Sequence, residues 1–171
     1  LVCVDNGSDT PPVELANVPV WFEEWEEVLS RFRVDSELTR LNRTSNWLVP
    51  VSETLWQVFQ SALAAEKYTD GLVTPTIARA VIEAGYDRDF NLFAGNILSA
   101  LEQNPETVRM LDSVTWDEST RSISLPEDVE LDFGGIAKGW AAEQAVLRLK
   151  HHGSALMNCG GDIFMSGPLL D

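Results

Sequence analysis

The residues best placed to do chemistry lie in two glycine-rich stretches, Leu131-Asp-Phe-Gly-Gly-Ile-Ala-Lys-Gly-Trp140 and Met157-Asn-Cys-Gly-Gly-Asp-Ile163. In the first, Asp132 closes an apolar run, and Gly134 and Gly135 offer backbone geometries closed to other residues. Lys138 falls in the first turn of the helix expected next. Cations are disfavoured at a helix N-terminus, so a lysine there calls for an anion. That anion is either a carboxylate such as Asp132 or the phosphate of a ligand that glycine backbone lets approach closely. Spacing alone leaves both open: a tight turn with a local Asp–Lys pair, or a phosphate cradle. In the second stretch, Gly160-Gly161 reads most simply as a hairpin turn. The other reading has Asp162, at a sheet edge, serving a hydroxyl or a metal-bound water. His151 and His152 end the preceding helix, where positive charge is favourable, and read as surface caps rather than catalysts.

These residues need elements to position them. From Val13 the pattern turns helical. Trp21, Trp25, Val28, Leu29 and Phe32 recur at helical spacing, with Glu23, Glu24, Glu26 and Glu27 on the other side. Such an aromatic stripe is core packing, or at its Phe32 end a surface for stacking a cofactor. Asp35 or Ser36 is a suitable N-cap for a short helix through Leu41, and Ser52 with Glu53 opens a long one to about Tyr68. Asp70-Gly71 turns the chain, and Leu72–Thr76 reads as extended because Pro75 keeps Thr74 out of the helical region. Thr76 begins the next helix, through Ala84, and a further helix is expected from Ile97 to Gln103.

Val114–Trp116 and Ser122–Leu125 read as a hairpin about Asp117-Glu-Ser-Thr, and Val129–Phe133 as another strand. A helix over Ala137–Lys150, a strand over Ala155–Cys159 and its hairpin partner from Ile163 complete the pattern. Val2–Val4 reads as the end of a strand. Helices first, then strands with one helix between them, imply an α+β fold with helices on a mostly antiparallel sheet. A dinucleotide-binding βαβ fold is disfavoured, because the glycines are not spaced G-x-G-x-x-G.

Composition narrows the function classes. With 27 acidic against 12 basic residues, the net charge of −15 argues against nucleic acid as a partner and against adsorption to an anionic membrane. The 44% apolar content is enough for a core within a single domain of 171 residues. Cys3 and Cys159 form no disulfide framework and have no His or Cys neighbours at metal-ligand spacing. Cys159 reads as a small buried hydrophobe. No apolar run is long enough to span a bilayer.

Taken together, four blocks resemble the ApbE family of FAD:protein FMN transferases. They are Leu29-Ser-Arg-Phe-Arg with Asp35-Ser-Glu-Leu-Thr-Arg-Leu-Asn42, Asp70-Gly-Leu-Val-Thr-Pro-Thr76, Leu131–Trp140, and Met157-Asn-Cys-Gly-Gly-Asp162. They occur in the family's order and span roughly residues 20–167. The resemblance implies a T-fold-related α+β domain. It also implies Mg²⁺-dependent transfer of FMN from FAD to a threonine hydroxyl of a target flavoprotein, with release of AMP.

Residue by residue, it places a flavin-contacting aromatic at Phe32, where the family prefers tyrosine. It places a flavin loop at Leu72, Val73 and Thr74, where Val73 replaces an aromatic and Thr74 an acid. Asp132 and Lys138 match FAD-contacting residues, and the carbonyl of Gly135 matches a magnesium ligand. No catalytic residue is assigned. The family's remaining metal ligands and functional histidine would follow the Gly-Gly-Asp block, and a Met-Gly-Thr block would precede these residues. The 171 residues are therefore expected to be the N-terminal and central portion of one ApbE-like domain, shortened at both ends. Alone, they are expected neither to bind magnesium tightly nor to transfer FMN. The other reading is a diverged flavin-binding module without transferase activity. Family members are often exported and membrane-anchored, and no signal or lipobox is visible here.

Overall fold

The computed structural model describes residues 1–8, 10–86 and 111–168; the helix expected over Ile97–Gln103 lies outside them. In chain order the regular elements are β1 (Val2–Asp5), α1 (Val18–Leu29), α2 (Glu37–Asn42), β2 (Val49–Pro50), α3 (Glu53–Tyr68), α4 (Ala78–Glu83), β3 (Thr115–Asp117), β4 (Ser122–Ser124), α5 (Ala137–Leu149), β5 (Ser154–Cys159) and β6 (Asp162–Met165). Helices and antiparallel strands are both present, so the α+β expectation holds; one isolated parallel bridge joins Ser45 and Leu125. The chain forms two compact units, Leu1–Glu26 with Gly134–Asp171, and Glu27–Phe133. Among the described residues, no helix is long and apolar enough to cross a membrane.

In the first unit, β5 lies between β1 and β6, antiparallel to both. Helix α5 packs on β5 and β6. Its buried face is Ala141, Ala142, Ala145, Val146 and Leu149, a helical spacing whose alanines let the backbone approach the sheet. Trp25 meets Trp140 edge-on at 5.5 Å. The guanidinium of Arg148 lies 4.9 Å from the ring centres of Trp21 and Trp25. The tryptophan stripe is thus core and its cover, as one of its two readings had it. The Gly160-Gly161 pair is the two-residue loop of the β5–β6 hairpin, with φ of 69° and 109°. Positive φ at both positions is what glycine allows cheaply and what a tight primed turn requires.

The second unit is helical with a small sheet in the order β2-β4-β3. Ser36 and Ser52 cap α2 and α3, accepting from the backbone N–H of Thr39 and Leu55. Leu55, Val58, Phe59 and Ala62 bury the inner face of α3, and Asp70 and Gly71, at φ of 52° and 81°, turn the chain out of it. Helix α4 begins at Ala78 rather than Thr76, and residues 72–76 form bends and a turn rather than a strand.

Val129–Phe133 is not a strand. Its alternation is real, since Val129, Leu131 and Phe133 are buried, but among the described residues no strand pairs with Leu131. The Asn42 side chain does so instead. Its Nδ2 donates to the Leu131 carbonyl and its Oδ1 accepts from the Leu131 N–H, both at 2.8 Å. A primary amide offers the same donor and acceptor as a peptide, so the backbone is satisfied without a ladder.

Candidate functional site

In the second unit the structure gathers several of the residues singled out in the sequence. The Asp132 carboxylate pairs with Arg31, Oδ2 to Nε, at 2.7 Å, with side chains only 12% and 8% exposed. Arg31 also donates from Nη2 to the Tyr86 carbonyl at 2.7 Å. Its guanidinium lies 4.2 Å from the Phe32 ring centre and 4.7 Å from that of Tyr86. The two rings meet edge-on at 5.6 Å. Phe32 is 38% exposed and Tyr86 37%. The result is an aromatic pair open on one side, backed by a guanidinium that is held by a carboxylate. Stacking and cation–π attraction keep the arginine flat against the rings.

The Asp132 N–H donates to the Pro75 carbonyl at 2.7 Å. This ties the 72–76 loop to the same corner. Thr74 does not present an uncommitted hydroxyl: its Oγ1 is hydrogen-bonded to Thr76 Oγ1 at 2.8 Å. Leu72 and Val73 face solvent, Leu72 almost completely. Asp132, Phe32 and the 72–74 loop are thereby brought together through Arg31 and Pro75. Sequence reasoning gave Arg31, Tyr86 and Asn42 no role. Nothing in their spacing linked Arg31 to Asp132 or Asn42 to Leu131. The only local signal was a cation directly beside Phe32.

The first unit holds the other residues. Lys138 lies in the first turn of α5, and its ammonium donates to the Gly134 carbonyl at 2.6 Å. The carbonyl is neutral, and Lys138 makes no ion pair among the described residues. The start of α5 has no side-chain cap, so the N-cap residue satisfies none of its first N–H groups through a side chain.

Gly134 and Gly135 have no positive φ, so the freedom that glycine offers is not used for a left-handed turn here. A Cβ built at Gly135 or Gly139 would meet nothing within 4 Å. Neither φ nor internal packing requires glycine at these two positions.

The hairpin turn carries little chemistry of its own. Asp162 is exposed beside it. Cys159 is half-buried, and its thiol is pushed above the ordinary value, chiefly by burial; the N-terminal amine opposes this and the Asp162 charge adds to it. A thiol held neutral is a poor nucleophile. His151 and His152 are not both surface caps: His152 Nε2 is buried, 3.0 Å from Glu14 Oε2 but not hydrogen-bonded to it.

Magnesium demands oxygen ligands in near-octahedral array. At the Gly134–Lys138 turn, the described residues offer main-chain carbonyls, and Lys138 already engages one of them. Among the described residues, the side chains that gather at ligand distance are Glu14, His151 and His152, away from this turn and rich in nitrogen. Among the described residues, no set of oxygen-bearing side chains completes a magnesium site at Gly135.

The sequence model of the ApbE family matches residues 8–171. A relative named FAD:protein FMN transferase from Treponema pallidum (strain Nichols) is 29% identical over 159 residues, which is 90% of this chain and 44% of the relative. One of the same name from Klebsiella pneumoniae (strain 342) is 28% identical over 151 residues, or 85% of this chain and 46% of that protein. The chain thus spans less than half the length of these curated relatives. The solved flavin transferase ApbE from Vibrio cholerae superposes with a TM-score of 0.75 at 22% identity, covering 97% of this chain and 55% of that one. The apo flavinyl transferase ApbE of Pseudomonas stutzeri gives 0.74 at 20% identity, covering 97% and 56%. At these identities the superpositions establish the fold. The family match runs through nearly the whole sequence, and this chain belongs to the ApbE family.

Proposed function

We propose that this chain supplies the FAD-binding residues of a FAD:protein FMN transferase. Both units then count as portions of one ApbE-like domain, since the family match runs through each. The observation that carries the reading is the 134–139 turn. It combines a lysine with no counter-charge among the described residues, an uncapped helix start, and glycines that neither conformation nor packing demands. A pyrophosphate would account for all three. Phe32, beside Tyr86, would offer the flavin a ring face, and Leu72 and Val73 an apolar edge. Asp132 would contact FAD or hold Arg31 for it, and Thr74 would offer only the hydrogen-bonding capacity that its bond to Thr76 leaves.

In the transfer, a threonine hydroxyl of the target flavoprotein attacks the FMN-side phosphorus of FAD. The new O–P bond forms as the pyrophosphate P–O bond breaks. AMP leaves with the bridging oxygen and its electron pair, and the hydroxyl proton passes to solvent. Such chemistry rests on positioning and charge neutralisation, and here Lys138 would neutralise charge. Magnesium would add to that neutralisation. The described residues do not hold it at Gly135, so no step is assigned to it, and these residues alone are expected to bind FAD without completing transfer.

Thr74 favours a second reading, a flavin-binding module without transfer. Its hydroxyl is engaged by Thr76, where the resemblance places an acid. Flavin fluorescence during FAD titration, followed by mass analysis of a threonine-bearing acceptor peptide with Mg²⁺ added, distinguishes the readings. Saturable FAD binding, weakened roughly tenfold or more in Lys138→Ala through loss of a charge-assisted contact, supports the proposed residues. AMP release with an FMN-sized mass increase establishes transfer by this chain and refutes the expectation that it cannot act alone. Repeating the titration with and without Mg²⁺ separates the rest: FAD binding that is independent of Mg²⁺ and releases no AMP favours the module, FAD binding strengthened by Mg²⁺ favours the transferase portion, and absence of FAD binding overturns both.

A further inference from the structure

The strongest unassigned chemistry lies at Glu14, His151 and His152, all within the first unit. Glu14 belongs to a 3-10 turn, Val13–Asn17, before α1. The histidines belong to another, Lys150–His152, after α5. One ligand atom from each side chain lies within 4.8 Å of the others. His152 Nε2 is sealed from solvent and makes no hydrogen bond, although Glu14 Oε2 is 3.0 Å away. A buried ring nitrogen without a hydrogen bond is costly, and a nearby carboxylate that does not relieve it leaves a place for a third atom. Two donors bonded to one tetrahedral Zn²⁺ at ~2.0 Å sit about 3.3 Å apart, close to the observed separation. The imidazole rings of His151 and His152 lie with centroids 3.9 Å apart, so the second ring is at hand.

The backbone holds this arrangement in place. Gly153, directly after His152, has a φ of 144°, and a Cβ there would lie 2.1 Å from the carbonyl oxygen of Asp5 at the end of β1. Only glycine fits, so the histidine turn is pinned between β1 and β5. The two histidines therefore sit on a short segment fixed by the sheet, His152 half-buried and His151 exposed.

We propose that Glu14, His151 and His152 bind a borderline divalent transition metal, Zn²⁺ in the first instance. Two imidazoles and one carboxylate suit zinc and leave a fourth position open to water, whereas magnesium prefers an all-oxygen set. The metal ties the two 3-10 turns together within the first unit. It is independent of the FAD reading, because none of the three residues belongs to the proposed FAD-binding set.

The test is titration of the whole chain with Zn²⁺ against a chromophoric chelator, followed by Co²⁺ substitution. One equivalent of Zn²⁺ should bind and raise the unfolding temperature, with millimolar Mg²⁺ failing to compete. Glu14→Gln and His152→Gln should each weaken binding on the order of 10- to 100-fold, at least the loss that follows removal of a ligand's supporting partner. Their circular dichroism without metal should match that of the parent. Should a variant fail to fold, the Co²⁺ spectrum of the unaltered protein still decides. An intense four-coordinate visible band supports the site, and a weak six-coordinate spectrum overturns it. A thiolate charge-transfer band would move the metal to Cys3 or Cys159 and also overturn it. Absent saturable Zn²⁺ binding, or binding unchanged in both variants, the proposal fails.

Discussion

Leu131–Phe133 and Gly134–Gly139 are consecutive in sequence and belong to one motif, yet they are built on opposite principles. In the first, each polar group just described has a partner. Leu131 is bonded at both N–H and C=O by Asn42, the Asp132 N–H by Pro75, and the Asp132 carboxylate by Arg31. In the second, the helix start has no side-chain cap, the lysine meets only a neutral carbonyl, and Gly135 and Gly139 face open space. Residues whose interactions are completed internally are explained by folding. Residues that folding leaves incomplete, at some cost in stability, need an external partner to explain them. On that ground the turn is the better marker of a ligand, and Asp132 is as much a structural residue as a binding one.

Substitutions in the closed segment should be the most damaging. Asp132→Asn leaves the Arg31 guanidinium buried without a counter-charge, and should cost about 3–5 kcal/mol by denaturant unfolding. Adding Arg31→Met should recover most of that loss. A cost near zero would remove the structural role of the pair and break the contrast. Asn42→Ala strips Leu131 of both backbone partners and should cost about 2–3 kcal/mol. It should also speed hydrogen exchange at the Leu131 amide, whereas a purely packing role for Asn42 would leave that amide protected.

The sequence made much of this legible, and its failures are informative. Ser36 and Ser52 announced the helices they cap, and Gly160-Gly161 announced its hairpin, because caps and turns are local chemistry. Val129, Leu131 and Phe133 announced burial correctly but strand pairing wrongly, since period-two alternation reports which side chains face inward and not what satisfies the backbone between them. Arg31 was invisible as the partner of Asp132 because a long-range ion pair leaves no spacing signature. Gly135 was noticed for a conformational freedom that its own φ does not use. His152 looked like a surface cap because the sequence does not reveal that Glu14 folds against it. The motif positions were readable; which of them the fold had already used was not.

The open turn can be probed with smaller changes. Gly139 is exposed within α5, where glycine costs about 0.5–1 kcal/mol relative to alanine. Gly139→Ala should therefore stabilise the chain by about that amount. If a ligand approaches this backbone, the same change should weaken FAD binding. Greater stability with unchanged FAD affinity would show that the glycine is not kept for a ligand. Gly135→Ala should shift stability by no more than about 0.5 kcal/mol, so any loss of FAD binding there reports contact rather than misfolding.

Asp117 supplies the smallest effect and a control for Asp132, as a carboxylate engaged internally but lying in solvent. It accepts hydrogen bonds from the Ser119 hydroxyl at 2.7 Å and the Ser119 N–H at 2.9 Å, across the β3–β4 turn. Those bonds, the hydroxyl's first, hold its pKa below the ordinary carboxylate value. A depressed folded pKa means that the unfolded chain binds the proton more readily. The contribution to stability is therefore present above the unfolded value of about 3.9 and is lost as pH falls through the folded one. Asp117→Asn should lower the unfolding midpoint by a small, constant amount between about pH 5 and 7, and the gap to the parent should close below about pH 4. A gap of the same size at every pH would place the effect in the turn's shape rather than in its charge. Asp117 would then no longer separate engagement from burial as the source of the larger cost expected at Asp132.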